Sequence, residues 1–320
     1  MDTGKTVIPV EAELAELAPE KDTLVTIGVF DGVHLGHKHL ISKLREQARQ
    51  HGLLSVVVTF RQHPQELLSP QTRLPYLTSL TKKVELLKAE GIDAVVTLSF
   101  TPELARVSAH QFAGLLKKHL RIRGLVLGPD FVCGRNREGD IATFRKFGQE
   151  MDFSVTVVPP LKVNGEVVSS TAIRQALAEG DMKRVARLIG RFFRLQGKVV
   201  KGTGRGTTLG FPTTNLEVDA KQALPAEGVY ATWTYVDGKT WESMTNIGRC
   251  PTFAGHERTV ETYILAYQGD LYGRELEISF VERLRAEKCF ATVEELKKQI
   301  AEDIKQGRAI LASRRDKHEY

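Results

Sequence analysis

The sequence lacks several features that would assign it to a special class of protein. It has only three cysteines, which lie far apart and form no CxxC pair, so we expect reduced thiols and neither a disulfide framework nor a zinc site. No apolar run approaches the roughly 20 residues that a membrane-spanning helix needs. Residues 1–21 carry five acidic side chains and no apolar core stretch, so we expect no signal peptide. Together these absences predict a cytoplasmic protein without a membrane partner.

Length and charge narrow the range of functions further. A chain of 320 residues is too long for one compact core and predicts two domains. Its hydrophobic content of 42% and charged content of 26% are those of ordinary globular proteins. The 45 basic and 39 acidic residues give a net charge of +6, which suits phosphate-bearing partners. Because this charge is spread along the chain, a basic solvent-exposed surface explains it equally well.

The first part of the chain, from Thr23 to about Pro160, alternates between strand and helix patterns. The predicted strands are Thr23–Val29, Leu54–Phe60, Ala94–Leu98, Leu125–Leu127 and Val155–Val158. The predicted helices are His39–Gln50, Leu80–Glu90 and Ala109–Leu120. Several of the strands are apolar nearly throughout, as in parallel sheets covered on both faces. The pattern predicts a Rossmann-like open α/β sheet, with ligands bound beyond the carboxyl ends of its strands.

The chain changes character after Arg187. The predicted strands there are Phe192–Val200, Gly228–Val236, Trp241–Ile247, Thr259–Tyr267 and Leu276–Phe280. The pair Asp237-Gly238 separates two of them and is a strong hairpin signal. A long amphipathic helix follows, from Val293 to about Arg314. We therefore expect a small all-β barrel with a C-terminal helix, and a division into domains 1–186 and 187–320.

Residues 26–37 lead from the end of the first strand into a helix, with the sequence Thr-Ile-Gly-Val-Phe-Asp-Gly-Val-His-Leu-Gly-His. The glycines allow a tight turn close to a ligand, and the start of a helix offers N–H groups to a phosphate. His34 and His37 are three residues apart, so their imidazoles project to one side of a first helical turn. No carboxylate or cysteine accompanies them, which disfavours a metal pair.

This segment resembles the HxGH signature of nucleotidyltransferases. The resemblance implies that His34 and His37 are catalytic. It also implies that their neighbours contact the nucleotide, namely Gly28, Phe30, Asp31, Gly32 and Gly36. In these enzymes the attacking group is already an anionic phosphate, so no general base is required. Catalysis then depends on alignment and on stabilising charge at the α-phosphate and the departing pyrophosphate.

Residues 168–174, Val-Ser-Ser-Thr-Ala-Ile-Arg, resemble the (I)SSTxIR motif of the adenylyltransferases of flavin synthesis. Ser170 is predicted to cap a helix over residues 171–178. Arg174 would lie one turn into that helix and could reach a triphosphate as a planar donor fork. The resemblance assigns Arg174 to catalysis, and Ser170 and Thr171 to nucleotide binding.

Two further segments resemble the same enzymes. Residues 59–64 are similar to the TFxxHP segment, and residues 127–140 are similar to the GxDFxFGxxRxGD loop, with Cys133 where Phe is usual. The resemblance implies that His63 and Asp130 contribute to the flavin side of the site.

Glycines recur over residues 202–210, and Pro-Thr-Thr-Asn follows at 212–215. This is not a Walker A loop, because no Lys-Ser/Thr follows the glycines. Such a segment alone is more often a mobile turn than a phosphate-binding loop. Thr213 and Asn215 alternate, so in an extended segment they face the same way. Two neutral oxygens placed in this way could hold a magnesium ion that also takes phosphate oxygens and water.

The stretch resembles the riboflavin kinase motif GRxxxGxPTxN, whose Thr and Asn bind the magnesium nucleotide. The resemblance assigns Thr213 and Asn215 to the metal, and the preceding segment to the nucleotide through Gly202, Gly204, Arg205 and Gly210. Residues 261–265, Glu-Thr-Tyr-Ile-Leu, resemble the ExHIL segment that carries the catalytic Glu. A kinase that acts on an alcohol must remove the hydroxyl proton, so Glu261 is the expected general base.

The motifs cover the chain from Thr23 to the C-terminal helix, and the chain is identified as a member of the prokaryotic bifunctional riboflavin kinase and FMN adenylyltransferase (FAD synthetase) family. The resemblance implies phosphorylation of riboflavin to FMN by ATP, then adenylyl transfer from ATP to FMN, with Mg²⁺ as cofactor. The partners are then these small molecules, without nucleic acid, and a homo-oligomer remains open. Two alternatives stay open: another HxGH transferase whose barrel is only a binding module, and a nucleic-acid-binding protein. The second lacks a stripe of aromatic residues interleaved with arginines.

Overall fold

The computed structural model describes residues 10–69, 71, 74–202, 204–252 and 255–314. The chain forms two compact units, residues 1–169 and residues 170–320. This division follows contacts within each unit. The boundary at 186/187 follows the sequence motifs and stays a prediction.

The first unit is built on a five-stranded sheet with helices on both faces. Its strands are β1 Thr23–Ile27, β2 Leu54–Phe60, β3 Ala94–Leu98, β4 Ile122–Leu127 and β5 Ser154–Val157, followed by the small hairpin of β6 Lys162–Val163 and β7 Glu166–Val167. Its helices are α1 Val10–Ala15, α2 Leu35–Gln50, α3 Pro64–Leu68, α4 Leu80–Ala89, α5 Pro102–Arg106, α6 Ala109–Leu120 and α7 Ile141–Met151.

The strand order in the sheet is β3-β2-β1-β4-β5, and neighbouring strands are parallel. The chain builds outward from β1 to β3 on one side, then returns and continues with β4 and β5 on the other. The order therefore reverses between β1 and β4. In open α/β sheets this reversal leaves a crevice at the carboxyl ends of the strands, where ligands bind.

Successive residues of the strands face opposite sides of the sheet, which explains why whole strands are apolar. Val25 and Ile27 pack on one face with residues of α1 and α6. Leu24 packs on the other face with residues of α2 and α4. The predicted α/β sheet is confirmed, with the strands buried between two layers of helices.

The second unit contains an antiparallel barrel that closes in the order β10-β11-β12-β9-β8-β13. The strands are β8 Phe193–Val200, β9 Thr214–Glu217, β10 Gly228–Val236, β11 Lys239–Thr252, β12 Gly255–Ile264 and β13 Glu275–Arg285. The helices are α8 Ser170–Glu179, α9 Met182–Ile189, α10 Arg205–Leu209 and α11 Val293–Ala312.

The C-terminal helix α11 lies against the outside of the barrel. Leu311 of α11 belongs to a buried cluster with Ala231, Trp233 and Met244 of the barrel strands. A bidentate ion pair adds to this packing, because Arg285 at the end of β13 donates to the buried Asp303 carboxylate over 2.8 to 3.0 Å. The predicted barrel with its closing helix is confirmed.

The predicted elements are present and differ from the observed ones at their ends, whereas α1, α3, α5, α7, α9, α10, β6, β7 and β9 were not predicted. Helix α2 begins at Leu35, four residues before the predicted start, because the His34 side chain caps it. Helix α8 begins at Ser170, so Ser170 lies in the helix, and its predicted capping position was wrong by one residue. Part of the glycine-rich segment forms the short helix α10. The hairpin at Asp237-Gly238 is as predicted, with φ of 51° and 72° at its two residues.

Candidate active sites

The first candidate site lies at the carboxyl edge of the parallel sheet, where the strand order reverses. The loop that carries His34 and His37 follows β1. His63 follows the neighbouring strand β2, and Asp130 follows β4 on the other side. The structure thus brings three predicted segments to one edge of three adjacent strands.

His34 and His37 stack on each other at the start of α2. Their ring centroids are 3.6 Å apart with an interplanar angle of 15°. The Nδ1 atom of His34 accepts the backbone N–H of His37 at 3.3 Å, so a neutral His34 carries its ring proton on Nε2. The edge of the Phe30 ring contacts His37, with centroids 5.0 Å apart. The capping bond and the two ring contacts fix the orientation of both imidazoles.

Gly36 allows the backbone of this turn to pass close to another chain segment. A Cβ atom on Gly36 would lie 3.0 Å from the carbonyl oxygen of Val168 and 3.1 Å from Cε1 of His34. Val168 is buried and directly precedes Ser169 and Ser170. The glycine between the two histidines therefore has a packing role, since a larger residue would displace either His34 or the Val168 backbone.

The loop between β1 and α2 is strained and is held from outside. Phe30 and Val33 have left-handed φ of 52° and 38°, which is unfavourable for residues with a Cβ atom and most of all for a β-branched one. The Asp31 carboxylate accepts the backbone N–H of Leu77 at 2.9 and 3.0 Å and that of Thr78 at 3.2 Å. Asp31 thus anchors the loop to the segment that precedes α4.

Lys83 of α4 is buried beneath the same loop. Its ammonium donates to the carbonyl oxygen of Val29 at 3.1 Å and to that of Phe60 at 2.7 Å. Burial lowers the pKa of the Lys83 ammonium to about 8, and the negative charge of Asp31 opposes that shift. The buried Lys83 cation therefore contacts the start of the loop, and the loop's own buried Asp31 anion contacts the segment before α4.

The two residues predicted on the flavin side have different surroundings. His63 caps α3, with its Nδ1 accepting the backbone N–H of Gln65 at 3.1 Å. Asp130 is exposed, in the turn after β4. Cys133 pairs with Gly139 through two backbone hydrogen bonds of 2.9 Å. Burial, aided by the Glu138 charge, raises the pKa of the Cys133 thiol to about 12, so this cysteine is a neutral packing residue.

Ser170, Thr171 and Arg174 lie on α8, which belongs to the second unit. The carbonyl oxygen of Leu177 in that helix accepts the backbone N–H of Ala226 at 2.8 Å. The helix that carries the predicted triphosphate-binding arginine is therefore hydrogen-bonded to the loop that enters the barrel strand β10.

The second candidate site is a row of polar side chains across three barrel strands. Glu261 of β12 is paired with Asn215 of β9 on one side and with Asn246 of β11 on the other. Side chains at directly paired positions lie on the same face of a sheet. The predicted general base is thus flanked by two amides, one of which is a predicted metal ligand.

The glycine-rich segment lies against the two predicted metal ligands. A Cβ atom on Gly202 would overlap the Asn215 amide, and one on Gly206 would lie 2.9 Å from the Thr213 hydroxyl oxygen. Phe211, which ends the segment, makes an edge contact with Tyr263, with ring centroids 5.7 Å apart. The segment therefore folds over the row that contains Glu261. The side chain of Arg205 lies outside the described part of the chain.

The residues of this row fit a magnesium nucleotide. Hydroxyl and amide oxygens are hard, neutral ligands, and Mg²⁺ keeps most of its coordination for water and phosphate oxygens. Glycines at the two closest approaches let the backbone of the segment pass directly beside Thr213 and Asn215. The donor set is therefore suited to the ion that the sequence predicts.

Two family models match the chain in the order that the sites predict. A model described as FAD synthetase matches residues 17–172, and one described as riboflavin kinase matches residues 189–311. A bifunctional riboflavin kinase/FMN adenylyltransferase of Escherichia coli (strain K12) is 38% identical over 288 residues, which are 89% of this chain and 92% of that protein. The chain belongs to this bifunctional family.

Other members and a solved structure extend the likeness over nearly the whole chain. The bifunctional riboflavin kinase/FMN adenylyltransferase of Pseudomonas fluorescens is 37% identical over 93% of this chain and 96% of its own length. A crystal structure described as a macrolide-efflux protein from Streptococcus pneumoniae has a TM-score of 0.84 and 29% identity, and covers 91% of this chain and 95% of that one. Among the described residues of the present chain, no helix is both long enough and apolar enough to cross a membrane.

The sequence motifs do not indicate several residues that lie at the two candidate sites. These are Lys83, the backbone of Leu77 and Thr78, and the contact between Phe211 and Tyr263. Asn246 was assigned to no site, although it is paired with Glu261. These contacts join segments that are distant in sequence, so no local spacing could have indicated them.

Proposed function

We propose a residue-level account of the two reactions of this chain. As a member of its family, the chain phosphorylates riboflavin to FMN and adenylylates FMN to FAD. In the first reaction a riboflavin hydroxyl oxygen attacks the γ-phosphate of ATP and ADP leaves. In the second, a phosphate oxygen of FMN attacks the α-phosphate of ATP, and pyrophosphate leaves.

Adenylyl transfer takes place at the carboxyl edge of the parallel sheet. His34 and His37 donate to the α-phosphate and to the departing pyrophosphate, because their stacked rings are held at a helix start whose dipole favours negative charge. Arg174 holds the triphosphate as a bidentate donor. The nucleotide is also contacted by residues of the same motifs, which are Gly28, Phe30, Asp31, Gly32, Gly36, Ser170 and Thr171. No residue acts as base here, since the FMN phosphate is already anionic.

Riboflavin phosphorylation takes place at the polar row of the barrel. The Glu261 carboxylate accepts the proton of the attacking hydroxyl, and its placement between Asn215 and Asn246 supports this role. Thr213 and Asn215 would hold Mg²⁺, which supplies charge neutralisation for the phosphates when bound. The nucleotide phosphates lie along the glycine-rich segment, with contacts to Gly202, Gly204, Arg205 and Gly210.

The remaining assignments rest on position and composition. We assign His63 and Asp130 to FMN, because they follow the two strands that flank β1. We divide the chain functionally at 186/187, so that α8 serves adenylyl transfer. The partners are ATP, riboflavin and FMN, without nucleic acid or membrane, and a homo-oligomer is compatible with this account. Three separated cysteines fit a reducing cytoplasm.

The observation that carries the proposal is the row Asn215, Glu261 and Asn246. It supplies a carboxylate base at the site of the one reaction that needs a base. Labelled ATP tests the two reactions in one incubation with riboflavin and Mg²⁺. Label in the γ-phosphate should appear in FMN and then in FAD, whereas label in the α-phosphate should appear in FAD alone. Failure of the α-label to enter any flavin would contradict adenylyl transfer, and failure of the γ-label to enter FMN would contradict the kinase reaction.

A further inference from the structure

Lys83 is a buried lysine outside the motifs that the sequence analysis names. Its side chain is 5% exposed. Burying an ammonium group is costly unless its charge and its hydrogen bonds are compensated. An apolar residue such as the nearby Leu87 fills space in the same helix without that cost. The contacts of the Lys83 amine should therefore explain why a lysine is buried here.

Both hydrogen-bond acceptors of Lys83 lie where the adenylyl-transfer loop leaves the sheet. Val29 directly precedes Phe30 in that loop, and Phe60 is the last residue of the adjacent strand β2. The hydroxyl of Thr59 also donates to the Val29 carbonyl oxygen, at 3.0 Å. Lys83 thus bridges the carboxyl ends of two neighbouring strands at the point where the loop begins.

The segment that carries Lys83 holds the loop at a second point. Leu77 and Thr78, just before α4, donate their backbone N–H groups to the Asp31 carboxylate. The Thr78 hydroxyl also accepts the backbone N–H of Gly32 at 3.1 Å. Residues 77–83 therefore contact the strained loop on both sides of Phe30. The Lys83 ammonium binds the carbonyl before Phe30, and the backbone at 77–78 binds the Asp31 carboxylate after it.

Phe30 connects these contacts of Lys83 to His37, one of the two proposed catalytic histidines. Phe30 follows the fixed carbonyl of Val29, adopts a left-handed φ of 52°, and presents its ring edge to His37. We propose that Lys83 is a positioning residue for adenylyl transfer: its ammonium fixes the Val29 and Phe60 carbonyls, and through Phe30 it keeps His37 in place. This inference rests on the proposed role of His37.

The proposal predicts a specific kinetic effect. Loss of the amine would let the loop relax without removing a group that touches substrate. A misplacement of about 1 Å can cost about 10²-fold in rate, so we expect Lys83→Met to lower kcat for FAD formation by roughly 10- to 100-fold. The KM for FMN should change less than threefold, because the loss falls on groups that stabilise the transition state.

The test uses the full chain with FMN and ATP supplied, and compares three variants. Lys83→Gln keeps N–H donors in the same direction and should retain at least ten times the kcat of Lys83→Met. Lys82→Met is the matched control, since Lys82 precedes Lys83 on the same helix and is partly exposed in an ion pair with Glu85. Thermal melting of each variant reports whether the first unit is folded, and riboflavin phosphorylation at the second unit checks that each preparation contains active chain.

The outcomes separate this inference from the proposed function. Unchanged FAD formation by Lys83→Met, or a KM effect alone, would overturn it. If Lys83→Met does not fold, Lys83→Gln decides: a kcat within threefold of the parent supports the role of the N–H donors, and a rate at background overturns it. If His37→Ala is also fully active, the proposed role of His37 fails. If His37→Ala is impaired and Lys83→Met is not, only the inference about Lys83 fails.

Discussion

At the scale of single residues, Glu261 shows how position can mark a common side chain as the candidate base. An isolated glutamate on a strand is usually a solvated surface residue. Here the carboxylate is half-buried and lies between Asn215 and Asn246 on the flanking strands. Amide side chains can donate hydrogen bonds to a carboxylate, so this position suits a group that accepts the proton of an attacking hydroxyl.

Glu261→Gln keeps the size and the hydrogen bonding of the side chain but cannot accept the proton. We expect FMN formation to fall by about 10²- to 10⁴-fold, mainly in kcat, because the proton moves only in the transition state. Steady-state kinetics with riboflavin measure this, and adenylylation of supplied FMN should be unchanged. Glu275→Gln, at an exposed position of β13, is the matched control. Near-parental FMN formation by the Glu261 variant would exclude this residue as the base.

His37→Ala should affect the other reaction. Loss of one donor that stabilises developing charge typically costs about 10²- to 10³-fold, so FAD formation should fall by that factor while FMN formation persists. The control is His39→Ala, two residues further along the same helix. Equal loss of both activities with an unchanged melting curve would contradict separate sites.

Local spacing in the sequence indicated several of the proposed site residues. The histidines three apart, the glycine between them and the alternation of Thr213 and Asn215 are visible in a few consecutive residues. The contacts of Lys83 and the pairing of Asn246 with Glu261 were not predicted, because the partners lie 54 and 15 residues away and only the folded sheet or barrel brings them together. Cys133 occupies the place of a usual Phe, and the structure shows it half-buried and packed against the core of the first unit.

At the scale of elements, the glycine-rich segment packs closely against the predicted metal ligands at strand β9. The segment crosses close to Asn215 and Thr213 only because Gly202 and Gly206 lack side chains. Helix α10 within this segment was not predicted, since a run of glycine and threonine has low helix propensity. Strand β9, only four residues long, was also missed, because its pattern is too short to show periodicity.

Substitution of Thr213 and Asn215 tests whether these two residues bind Mg²⁺. Thr213→Ala and Asn215→Ala should each raise the Mg²⁺ and ATP concentrations needed for half-maximal riboflavin phosphorylation, since each removes one hard oxygen ligand. Titrations of Mg²⁺ at fixed ATP measure the shift, and FAD formation from FMN should keep its parental Mg²⁺ dependence. Glu217→Ala, exposed on the same strand, serves as control. An unchanged metal requirement in both variants would remove these residues from the ion's shell.

At the scale of the whole molecule, the sequence motifs and the packing divide the chain at different places. Motifs place residues 170–186 with adenylyl transfer, whereas packing places α8 and α9 in the second unit. Helix α9 packs on β8 and β13, and the carbonyl oxygens of Glu179 and Glu227 both accept from Arg283 of β13. Boundaries of this kind depend on long-range contacts, whereas the sequence placed the division near Arg187 from the change in strand and helix pattern alone.

Two fragments distinguish these divisions. Residues 170–320 should melt higher than residues 187–320 by about 10 °C or more, since removal of α8 and α9 loses several buried aliphatic side chains worth about 1.5–3 kcal/mol each. Thermal melting followed by circular dichroism measures the difference. Identical melting temperatures would show that α8 and α9 do not stabilise the barrel.

The most direct test of two separate sites in one chain is the product time course of a mixture of His37→Ala and Glu261→Gln. Given riboflavin, ATP and Mg²⁺, the first variant alone should stop at FMN, and the second alone should leave riboflavin unchanged. Chromatography of the mixture should show FMN rising first and FAD following it, because each variant retains the site that the other lacks. A mixture that forms no FAD, although the Glu261 variant adenylylates supplied FMN, would contradict this account.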